Sequence, residues 1–389
     1  MTTVSMRSLR ILYAALDQRV PGTLGGSVHV RAVADGLAKL GHEVHVAAQP
    51  AGVWPAGRVH WHALAPPLNR PALRWMRRSA VRALARECRA DVIIERYYNF
   101  GGEGVRAAHD LGVPAVLEVN APVIDFPGSP KERLDRALVA QPMRRWREGL
   151  CRMTSLFVTP SAEILPSWVA RSAILEVEWG ADVQRFRPHA PGEPAFTADP
   201  ARIVCVFAGA FRAWHGAVHL AAALARLHAA GDTRFGGVFI GDGPERAATK
   251  RCARGVPGVQ FTGAVAHDRL PASLAHAQIG VAPFDPGRHA PLRLGFYWSP
   301  LKIFEYMAVG LPVVAPALPR LRTLVEHGRE GWLYEPDDPR GLDHALVALA
   351  DPDVRQRIGA AARARVVRDF SWDAHCAALD TRLRALVAT

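Results

Sequence analysis

The segment SPLKIFEYM, residues 299–307, places a lysine and a glutamate three positions apart. On a helix these positions share a face, so Lys302 and Glu305 would project together. Ser299 suits an N-cap and Pro300 suits the first helical position, which would leave free backbone N–H groups near Lys302. A diphosphate fits such a helix start. A carboxylate one turn further along can accept hydrogen bonds from the two hydroxyls of a ribose.

A surface Lys–Glu pair on an amphipathic helix is the ordinary alternative for this spacing. Here Leu301, Phe304 and Met307 are apolar, and the PVVA segment that follows is typical of a buried strand. A charged pair beside a buried helix face favours ligand binding over a solvated surface pair.

A second group of polar side chains follows a predicted strand in AGAFRAWHGAVHL, residues 208–220. Arg212 and His215 would lie at the carboxyl edge of the sheet. Both can donate to phosphate oxygens and stabilise charge that develops when a bond to phosphate breaks. Trp214 in the same loop suits either packing or ligand contact.

Two glycine-rich segments follow predicted strands. IGDGPE supplies Gly241 and Gly243, where the backbone could approach a nucleobase. GTLGGSVHV supplies Gly25 and Gly26 just before a helix, whose N-terminus attracts anions. IGDGPE is suggestive only as a motif. GTLGGSVHV does not match the GxGxxG spacing of a dinucleotide site, and a tight strand-to-helix turn explains it equally well.

Alternating strands and helices predict an α/β protein with two Rossmann-like, doubly wound domains. The first half contains the strands RILYAAL, EVHVAA, RADVIIER, PAVLEVNA and MTSLFVTP, with a helix predicted at SAEILPSWV. The second half contains RIVCVFAGA, FGGVFIGDGP, VQFTGA, IGVAPF and LPVVAPA. We predict domains over 1–187 and 188–369, facing each other across a cleft, with a helix over 370–389 packing back toward the first.

The composition is that of a globular, cytoplasmic chain of 389 residues. No run approaches the ~20 apolar residues of a membrane span. The amino-terminal sequence predicts a first strand rather than a signal peptide. Five cysteines, odd in number and widely spaced, predict reduced thiols and argue against a zinc site. Asp351-Pro352-Asp353 matches a D-x-D metal pattern but is predicted to cap a helix, so we expect no metal.

The chain carries a net charge of +12, and Lys39, Lys131, Lys250 and Lys302 are its only lysines. A basic balance suits polyanions or an anionic membrane surface, whereas a genome rich in arginine codons explains it as well. NRPALRWMRRSAVRALARECR, residues 69–89, predicts an arginine-dense helix that could rest on a bilayer or simply be solvated. We predict no nucleic-acid partner.

In their order along the chain, these motifs resemble the retaining, nucleotide-sugar-dependent glycosyltransferases of the GT-B fold, in family 4 (glycosyl transferases group 1). GGSVHVRAVADGLAKLGHEVHV is similar to the family's opening, and WGADVQRFRP to its interdomain signature. FAGAFRAWHG resembles the diphosphate loop. IGDGPE, FTGAV, VAPF, the SPLK to GLPVVA stretch, GWLYEP and FSWD then follow in the expected order. The resemblance covers nearly the whole chain.

The resemblance implies roles for several residues. Glu305 matches the second glutamate of the family's E-x7-E motif, which holds the ribose. Arg212 matches the arginine that binds the diphosphate. Gly25 and Gly26 match a first-domain loop that closes on the phosphates and the acceptor.

Three positions depart from the family pattern. Tyr297 stands where the first glutamate of E-x7-E contacts the donor sugar. His215 replaces the usual lysine, so the second phosphate contact would come from Lys302 or from a histidine whose charge depends on pH. Asn120 stands where many members place a histidine near the reacting sugar. These departures concern the sugar more than the nucleotide.

The resemblance therefore implies a retaining transfer of a hexosyl group from a GDP- or UDP-linked donor to an acceptor hydroxyl, with no further cofactor. The acceptor would be a sugar, a lipid-linked molecule or a small metabolite. The predicted catalytic residues are Arg212, Lys302 and Asn120. The predicted donor contacts are Glu305, Ser299, Leu301, His215, Gly241, Gly243 and Tyr297. A non-catalytic subunit that binds nucleotide sugar and a sugar-nucleotide epimerase are the alternatives.

Overall fold

The computed structural model describes residues 7–22, 25–126, 129–138, 141–266 and 268–388. It divides into an N-terminal unit, Met1–Trp179 with Trp372–Thr389, and a C-terminal unit, Gly180–Ser371. The chain thus passes between units at 179/180 and 371/372, whereas the sequence analysis placed the boundaries at 187/188 and 369/370. The prediction for the first six residues lies outside the described part of the chain.

The N-terminal unit contains a seven-stranded sheet in which every pair is parallel, in the order β3-β2-β1-β4-β5-β6-β7. Its strands are β1 (Arg10–Val20), β2 (Glu43–Pro50), β3 (His60–Ala63), β4 (Val92–Arg96), β5 (Ala115–Glu118), β6 (Leu156–Thr159) and β7 (Ile174–Glu176). Its helices are α1 (Gly25–Lys39), α2 (Arg78–Glu87), α3 (Glu103–Leu111), α4 (Pro130–Ala137), α5 (Pro142–Arg152) and the C-terminal α13 (Trp372–Val387).

The central strand β1 and helix α1 form one core of this unit. Ile11 and Tyr13 point to the same face of β1 because side chains alternate along a strand, and both are fully buried. Val30, Val33 and Leu37 recur at helical spacing on α1 and are likewise buried against that face. Leu379 and Leu383 of α13 belong to the same core.

The C-terminal unit contains a six-stranded parallel sheet in the order β10-β9-β8-β11-β12-β13. Its strands are β8 (Ile203–Ala208), β9 (Phe235–Ile240), β10 (Val259–Gly263), β11 (Ile279–Val281), β12 (Val313–Pro316) and β13 (Gly331–Tyr334). Its helices are α6 (Ala217–Ala229), α7 (Arg246–Cys252), α8 (Leu270–Ala275), α9 (Leu301–Ala308), α10 (Pro319–Leu324), α11 (Gly341–Ala348) and α12 (Pro352–Asp369).

These two sheets confirm the predicted α/β class with two Rossmann-like domains. In each sheet the strand order reverses beside the first strand of its unit, β1 or β8, as in doubly wound folds. Loops at the carboxyl ends of β8 and β9 therefore meet at one edge, where ligands of such folds bind. Among the described residues, no helix is long and apolar enough to cross a membrane.

Two predicted helices were wrong. SAEILPSWV forms only a 3-10 turn over Ala162–Ile164, because Pro166 has no N–H to continue a helix. Residues 69–89 do not form one helix either. A 3-10 helix over Pro71–Arg77 precedes α2, after Leu68 and Asn69 adopt positive φ angles.

The predicted helix cap at Asp351 is confirmed by the structure. The Asp351 side chain caps α12 by accepting hydrogen bonds from the N–H groups of Asp353 at 2.8 Å and Val354 at 3.4 Å. All five cysteines are free thiols, and only Cys252 among them is exposed.

Candidate functional site

The start of α9 differs from the prediction by one residue. The helix begins at Leu301, and Pro300, at φ −81° and ψ 71°, occupies the N-cap position. Ser299 is therefore not the N-cap residue, and Pro300 makes no side-chain cap hydrogen bond. The N–H groups of Leu301 and Ile303 donate to the carbonyl oxygens of Ser299 at 2.9 Å and Pro300 at 2.7 Å. These two groups are thus already paired, and the helix start offers fewer free donors than expected.

The Lys302 ammonium group lies at the carboxyl end of β8. Its Nζ is 4.2 Å from the centre of the Phe207 ring and 5.1 Å from that of Phe284. A Cβ built on Gly209 would lie 3.1 Å from this Nζ, so the absence of a side chain there leaves room for the lysine. The buried Nζ has no hydrogen-bond partner in the described part of the chain. Burial lowers the pKa of Lys302 to about 7, and the negative charge of Glu305 opposes that shift.

Glu305 lies one turn beyond Lys302 on α9. Burial raises the pKa of its carboxyl to about 7, while the cations Lys302 and Arg185 partly oppose the shift. Removing each group from water disfavours its charged form, so the two pKa values move toward each other. The pair is therefore poised near neutrality between its charged and uncharged forms. A ligand that offers an anion to one group and hydroxyls to the other would favour the charged pair.

His215 and Arg212 occupy the loop after β8 in different states. The Nδ1 of His215 donates to the carbonyl oxygen of Ala210. Burial, followed by the positive charge of Lys302, lowers the pKa of His215 to about 3. Its imidazole is therefore neutral at pH 7, and its Nε2 is an acceptor rather than the phosphate donor that we expected. Arg212 is exposed, and within the described residues its guanidinium forms no ion pair.

Several aromatic rings pack around Trp214 of this loop. The centre of the Trp214 ring lies 4.8 Å from that of Trp298, 5.5 Å from that of His289 and 6.1 Å from that of Phe284. We call Trp214, Phe284, His289 and Trp298 the aromatic cluster. Trp214, His289 and Trp298 are half-buried, which leaves part of each ring accessible.

Tyr297 is buried and packs against Trp298 of the aromatic cluster. Its side chain is only 2% exposed, and its ring centre lies 4.7 Å from that of Trp298. The position that carries the first glutamate in the resembled family is thus filled here by a buried ring. Trp298, the next residue, offers the accessible surface.

Gly241 and Gly243 have a packing role. A Cβ on Gly241 would overlap the carbonyl oxygen of Gly209, and one on Gly243 would lie 2.8 Å from the backbone nitrogen of Phe211. The Phe211 N–H also donates to the Asp242 carbonyl oxygen at 2.9 Å. These glycines allow the β8 and β9 loops to contact each other. The positions that their side chains would occupy are filled by protein atoms rather than open to a ligand.

In the N-terminal unit, Gly25 and Gly26 form the first turn of α1. A Cβ on Gly25 would lie 3.9 Å from the Trp179 ring, and one on Gly26 would overlap the Gln18 amide. The structure thus brings this helix start close to Gln18 and Trp179. Part of the predicted loop, Thr23 and Leu24, lies outside the described residues.

Both polar atoms of the Asn120 side-chain amide are hydrogen-bonded. Its Nδ2 donates to Glu118, and its Oδ1 accepts from Trp179 Nε1 at 2.8 Å. Glu118 also accepts hydrogen bonds from Arg96, at 2.7 Å, and from the Tyr13 hydroxyl. Asn120 is therefore fixed at the carboxyl end of β5 by a buried network.

Glu118 is the centre of that network. His29 Nε2 lies 2.9 Å from its Oε2, and the His29 ring packs 4.3 Å from the ring of Trp179, centre to centre. Burial alone would raise the pKa of Glu118, but His29, Arg96 and the Tyr13 hydroxyl together hold it far below its usual range. The carboxylate is therefore ionised at neutral pH and acts as a fixed acceptor.

Sequence reasoning missed several residues that build these two regions. Phe207 and Gly209 were considered only as parts of a strand and a loop. Their positions on either side of the end of a strand could have identified them, because ligand sites are commonly built there. Glu118 was noted only within its segment. His289 and Trp298 had no signal beyond their aromatic character, because they reach the site through non-local contacts.

Two family models match this chain. "Glycosyltransferase Family 4" matches residues 24–171, and "Glycosyl transferases group 1" matches residues 202–351. The first match lies within the N-terminal unit and the second within the C-terminal unit. Together they cover well over half of the sequence.

Two proteins of known activity are similar over much of their length. A GDP-mannose-dependent alpha-mannosyltransferase of Mycobacterium tuberculosis (strain CDC 1551 / Oshkosh) is 30% identical over 283 residues, 71% of this chain and 68% of that protein. One of the same name from Mycolicibacterium smegmatis is 27% identical over 380 residues, 92% of each chain.

The fold is also found among solved structures. Sucrose-phosphate synthase from Thermosynechococcus elongatus superposes with a TM-score of 0.71 at 21% identity, covering 98% of this chain and 99% of that chain. At that identity the likeness concerns the fold, and it confirms the predicted GT-B class. With both units matched by family models, the chain belongs to the group 1 glycosyltransferases of glycosyltransferase family 4.

Proposed function

We propose that this glycosyltransferase is a retaining mannosyltransferase that uses a GDP-linked donor. The observation that carries the proposal is the Lys302 ammonium group, which is buried at the carboxyl end of β8 without a hydrogen-bond partner among the described residues. A buried, unpaired cation is costly unless an anion completes it. A nucleoside diphosphate supplies that anion at the edge where ligands of such sheets bind.

The donor base and sugar are proposed from the relatives. Two similar proteins carry the name GDP-mannose-dependent alpha-mannosyltransferase, and one of them aligns over 92% of this chain. Glu305 is our candidate for the ribose hydroxyls, because its carboxylate lies one turn from Lys302. Arg212, which is exposed and free of an ion pair in the described structure, is our candidate for the second phosphate contact.

The proposed chemistry is a same-face displacement at the anomeric carbon. The bond from that carbon to the β-phosphate oxygen breaks, and a bond to the acceptor oxygen forms on the same face of the sugar. The acceptor proton passes to the departing diphosphate. Lys302 and Arg212 would stabilise the negative charge that develops on that leaving group. His215, neutral and tied to Ala210, would position the loop rather than donate a proton.

We assign the acceptor to the N-terminal unit, around Gly25, Gly26 and Asn120. Asn120 keeps a fixed orientation because both atoms of its amide are hydrogen-bonded. We propose it as a positioning residue for the acceptor sugar. A screen of acceptors distinguishes a glycan, a lipid-linked sugar and a metabolite.

We also propose a peripheral membrane contact near the start of α2, for a chain that resides in the cytoplasm. Leu68 is 81% exposed, Met76 53% and Trp75 43%. Exposed apolar side chains beside arginines suit an anionic bilayer surface. However, Arg74 is buried in ion pairs with Glu103 and Asp17, which reduces the basic charge available there.

Vesicle co-sedimentation tests this contact. Binding to anionic vesicles that Trp75→Ser with Met76→Ser weakens would support it, and wild-type protein that stays in the supernatant would refute it. Free thiols at all five cysteines are what a reducing compartment maintains, which supports the cytoplasmic assignment.

Donor turnover tests the main proposal. GDP-mannose, GDP-glucose and UDP-glucose should be offered with a panel of sugar and lipid-linked acceptors, and release of the nucleotide measured. We expect turnover with GDP-mannose and at least about a tenfold lower kcat/KM for Glu305→Ala, with Glu335→Ala, an exposed glutamate, as the matched control. Intact donor binding without turnover under every condition would instead indicate a non-catalytic subunit. An NMR spectrum of the product that shows the anomeric carbon in the configuration opposite to that of the donor would refute retention.

A further inference from the structure

Four side chains with metal-ligand chemistry share one face of the N-terminal sheet, on strands that carry none of the proposed acceptor residues. Glu43 and His45 are two residues apart on β2, and His60 and His62 are two apart on β3. Alternate residues of a strand share a face. His45 and His60 are direct register partners, so all four side chains project from the same face.

The opposite face of these strands is anchored in the core. Val46 and Trp61 are register partners, and Trp61 stacks on Trp54 with ring centres 5.4 Å apart. Both tryptophans pack against the buried core of the unit. Because that face is fixed, the positions of His45 and His60 on the other face are fixed as well.

The distances suit a small metal ion. One ligand atom from each of Glu43, His45 and His60 lies within 4.8 Å of the others. Ligands at about 2.0–2.1 Å from a tetrahedral zinc ion are separated by about 3.4 Å. Glu43 and His60 are exposed, so rotation of their side chains can bring the ligand atoms closer without disturbing the strands.

His45 is held in the orientation that a ligand needs. Its Nε2 lies 3.0 Å from Glu43 Oε1, and its Nδ1 lies 2.9 Å from His62 Nε2. A metal-bound histidine typically uses one nitrogen for the ion and the other for an outer partner that fixes the ring. His62 is in place to be that partner. The His60 ring stacks on His45 at 4.8 Å and makes no hydrogen bond among the described residues, so its nitrogens are free to bind.

Contrary to the sequence-based expectation of no metal, we propose that Glu43, His45 and His60 form a site for a divalent transition-metal ion such as Zn²⁺, with His62 positioning His45. Two imidazoles and one carboxylate are a ligand set that zinc accepts, with water in the fourth position. Glu43, His45 and His62 line a cavity of about 340 Å³, which Glu87 also lines. Cys88 lines the same cavity, but its thiol donates to the Ala85 carbonyl oxygen and is not counted as a ligand.

The location predicts a structural role rather than a catalytic one. Glu43 and His60 are the first residues of their strands, so the site lies at the amino edge of the sheet. In the same unit, Asn120 follows the carboxyl end of β5, and α1 is the helix after the carboxyl end of β1. An ion at the amino edge would link β2 to the terminal strand β3 and stabilise that side of the sheet.

Zinc titration of the full chain, freed of metal by chelation, tests this proposal. A chromophoric chelator in competition should report one tight equivalent for the wild type. Binding should be at least about tenfold weaker in Glu43→Gln and His60→Ala, and weakened by a similar factor in His62→Ala. His344→Ala removes an exposed histidine of the other unit and is the matched control, with unchanged affinity expected.

Two further measurements keep the result unambiguous. Zinc should raise the Tm of the wild type and of His344→Ala, but not that of His60→Ala, because only a native-state site stabilises the fold. Cobalt substitution should give the visible absorption of a four-coordinate ion in the wild type and His344→Ala but not in His60→Ala. Equal zinc affinity in the wild type and His60→Ala, or no stoichiometric binding by the wild type, would overturn the proposal.

Discussion

At the scale of single residues, the C-terminal unit contains two ionisable groups whose pKa values are shifted in opposite directions. Burial lowers the pKa of Lys302 and raises that of Glu305, each to about 7. Neither group gains enough from the other to recover its ordinary pKa, and Lys302 Nζ lacks a hydrogen-bond partner in the described structure. Such an arrangement costs stability in the free protein, and a ligand that completes it offsets that cost.

Replacing Lys302 with methionine tests that cost. Methionine fills a similar volume between Phe207 and Phe284 without an ammonium group to desolvate. We expect the free energy of unfolding of the ligand-free variant at pH 7 to equal or exceed that of the wild type. Chemical denaturation measures it, with Lys250→Met on the exposed side of α7 as the control. A loss of more than about 1 kcal/mol would mean that the ammonium group stabilises the free protein.

The pH dependence of stability tests the state of Glu305. Its folded pKa of about 7 lies above its ordinary value of 4.5. Between these values the native state holds a proton that the unfolded state has released, so stability from this group falls as pH rises from about 4.5 to 7. Lys302 has the opposite effect above pH 7, because the unfolded state then holds the extra proton up to about pH 10.5.

Glu305→Gln should therefore remove the fall between about pH 4.5 and 7 and leave the rise above pH 7. Subtracting the Tm profile of the variant from that of the wild type isolates the contribution of this carboxyl. Glu335→Gln, at an exposed position, serves as the control with a profile parallel to the wild type. Parallel profiles for Glu305→Gln as well would show that its carboxyl is not perturbed.

At the scale of elements, the site depends on how closely the loops after β8 and β9 approach. Gly241 has φ +124°, and a Cβ there would overlap the Gly209 carbonyl oxygen. Gly209 in turn leaves the space that Lys302 Nζ approaches. The loop contact therefore controls the position of the cation.

Gly241→Ala should destabilise the protein by about 2–4 kcal/mol, because backbone strain and a clash with backbone act together. Gly255→Ala is the matched control: Gly255 has φ +77°, but a Cβ there would have nothing within 4 Å. It should cost only about 1 kcal/mol from strain alone. Midpoints of chemical denaturation compare the two variants. Equal costs would mean that the β8 and β9 loops separate without penalty.

The elements that the sequence predicted are those with local signals. The apolar segments RILYAAL, EVHVAA, RIVCVFAGA and FGGVFIGDGP predicted β1, β2, β8 and β9, and a helix was predicted just after Gly25 and Gly26, where α1 lies. Two predictions failed because a proline changed the local structure. Pro166 interrupts an apolar segment that was expected to be helical, and Pro300 takes the N-cap position that Ser299 was expected to hold.

For the candidate site, the sequence predicted which residues take part better than it predicted their burial and their charge state. The sequence placed Lys302 and Glu305 on one face of a helix and Arg212 in the loop after a strand. It could not show that His215 is neutral, because that depends on burial and on the charge of Lys302. Nor could it show that Tyr297 is 2% exposed while Trp298 is accessible, since both follow from contacts between distant segments.

At the scale of the whole molecule, the chain returns to its first unit at the end. Helix α13 follows the C-terminal unit but belongs to the N-terminal one, where Leu379 and Leu383 are buried against α1. The N-terminal core is therefore complete only after the last helix has been synthesised.

Leu383→Ala should cost about 2–4 kcal/mol of stability, because it opens a cavity in a fully buried position. Leu386→Ala, on the same helix but only partly buried, is the control and should cost distinctly less. If Leu383→Ala has no effect on the denaturation midpoint, α13 does not contribute to the core of the N-terminal unit.

The central claim is that Lys302 at the carboxyl end of β8 binds the diphosphate of the donor. Calorimetric titration of GDP and GDP-mannose into the wild type, Lys302→Met and Lys250→Met tests it most directly. We predict that Lys302→Met binds both ligands at least about 30-fold more weakly, a loss of about 2 kcal/mol, while Lys250→Met binds within about twofold of the wild type. Undiminished affinity of Lys302→Met for GDP would contradict the claim.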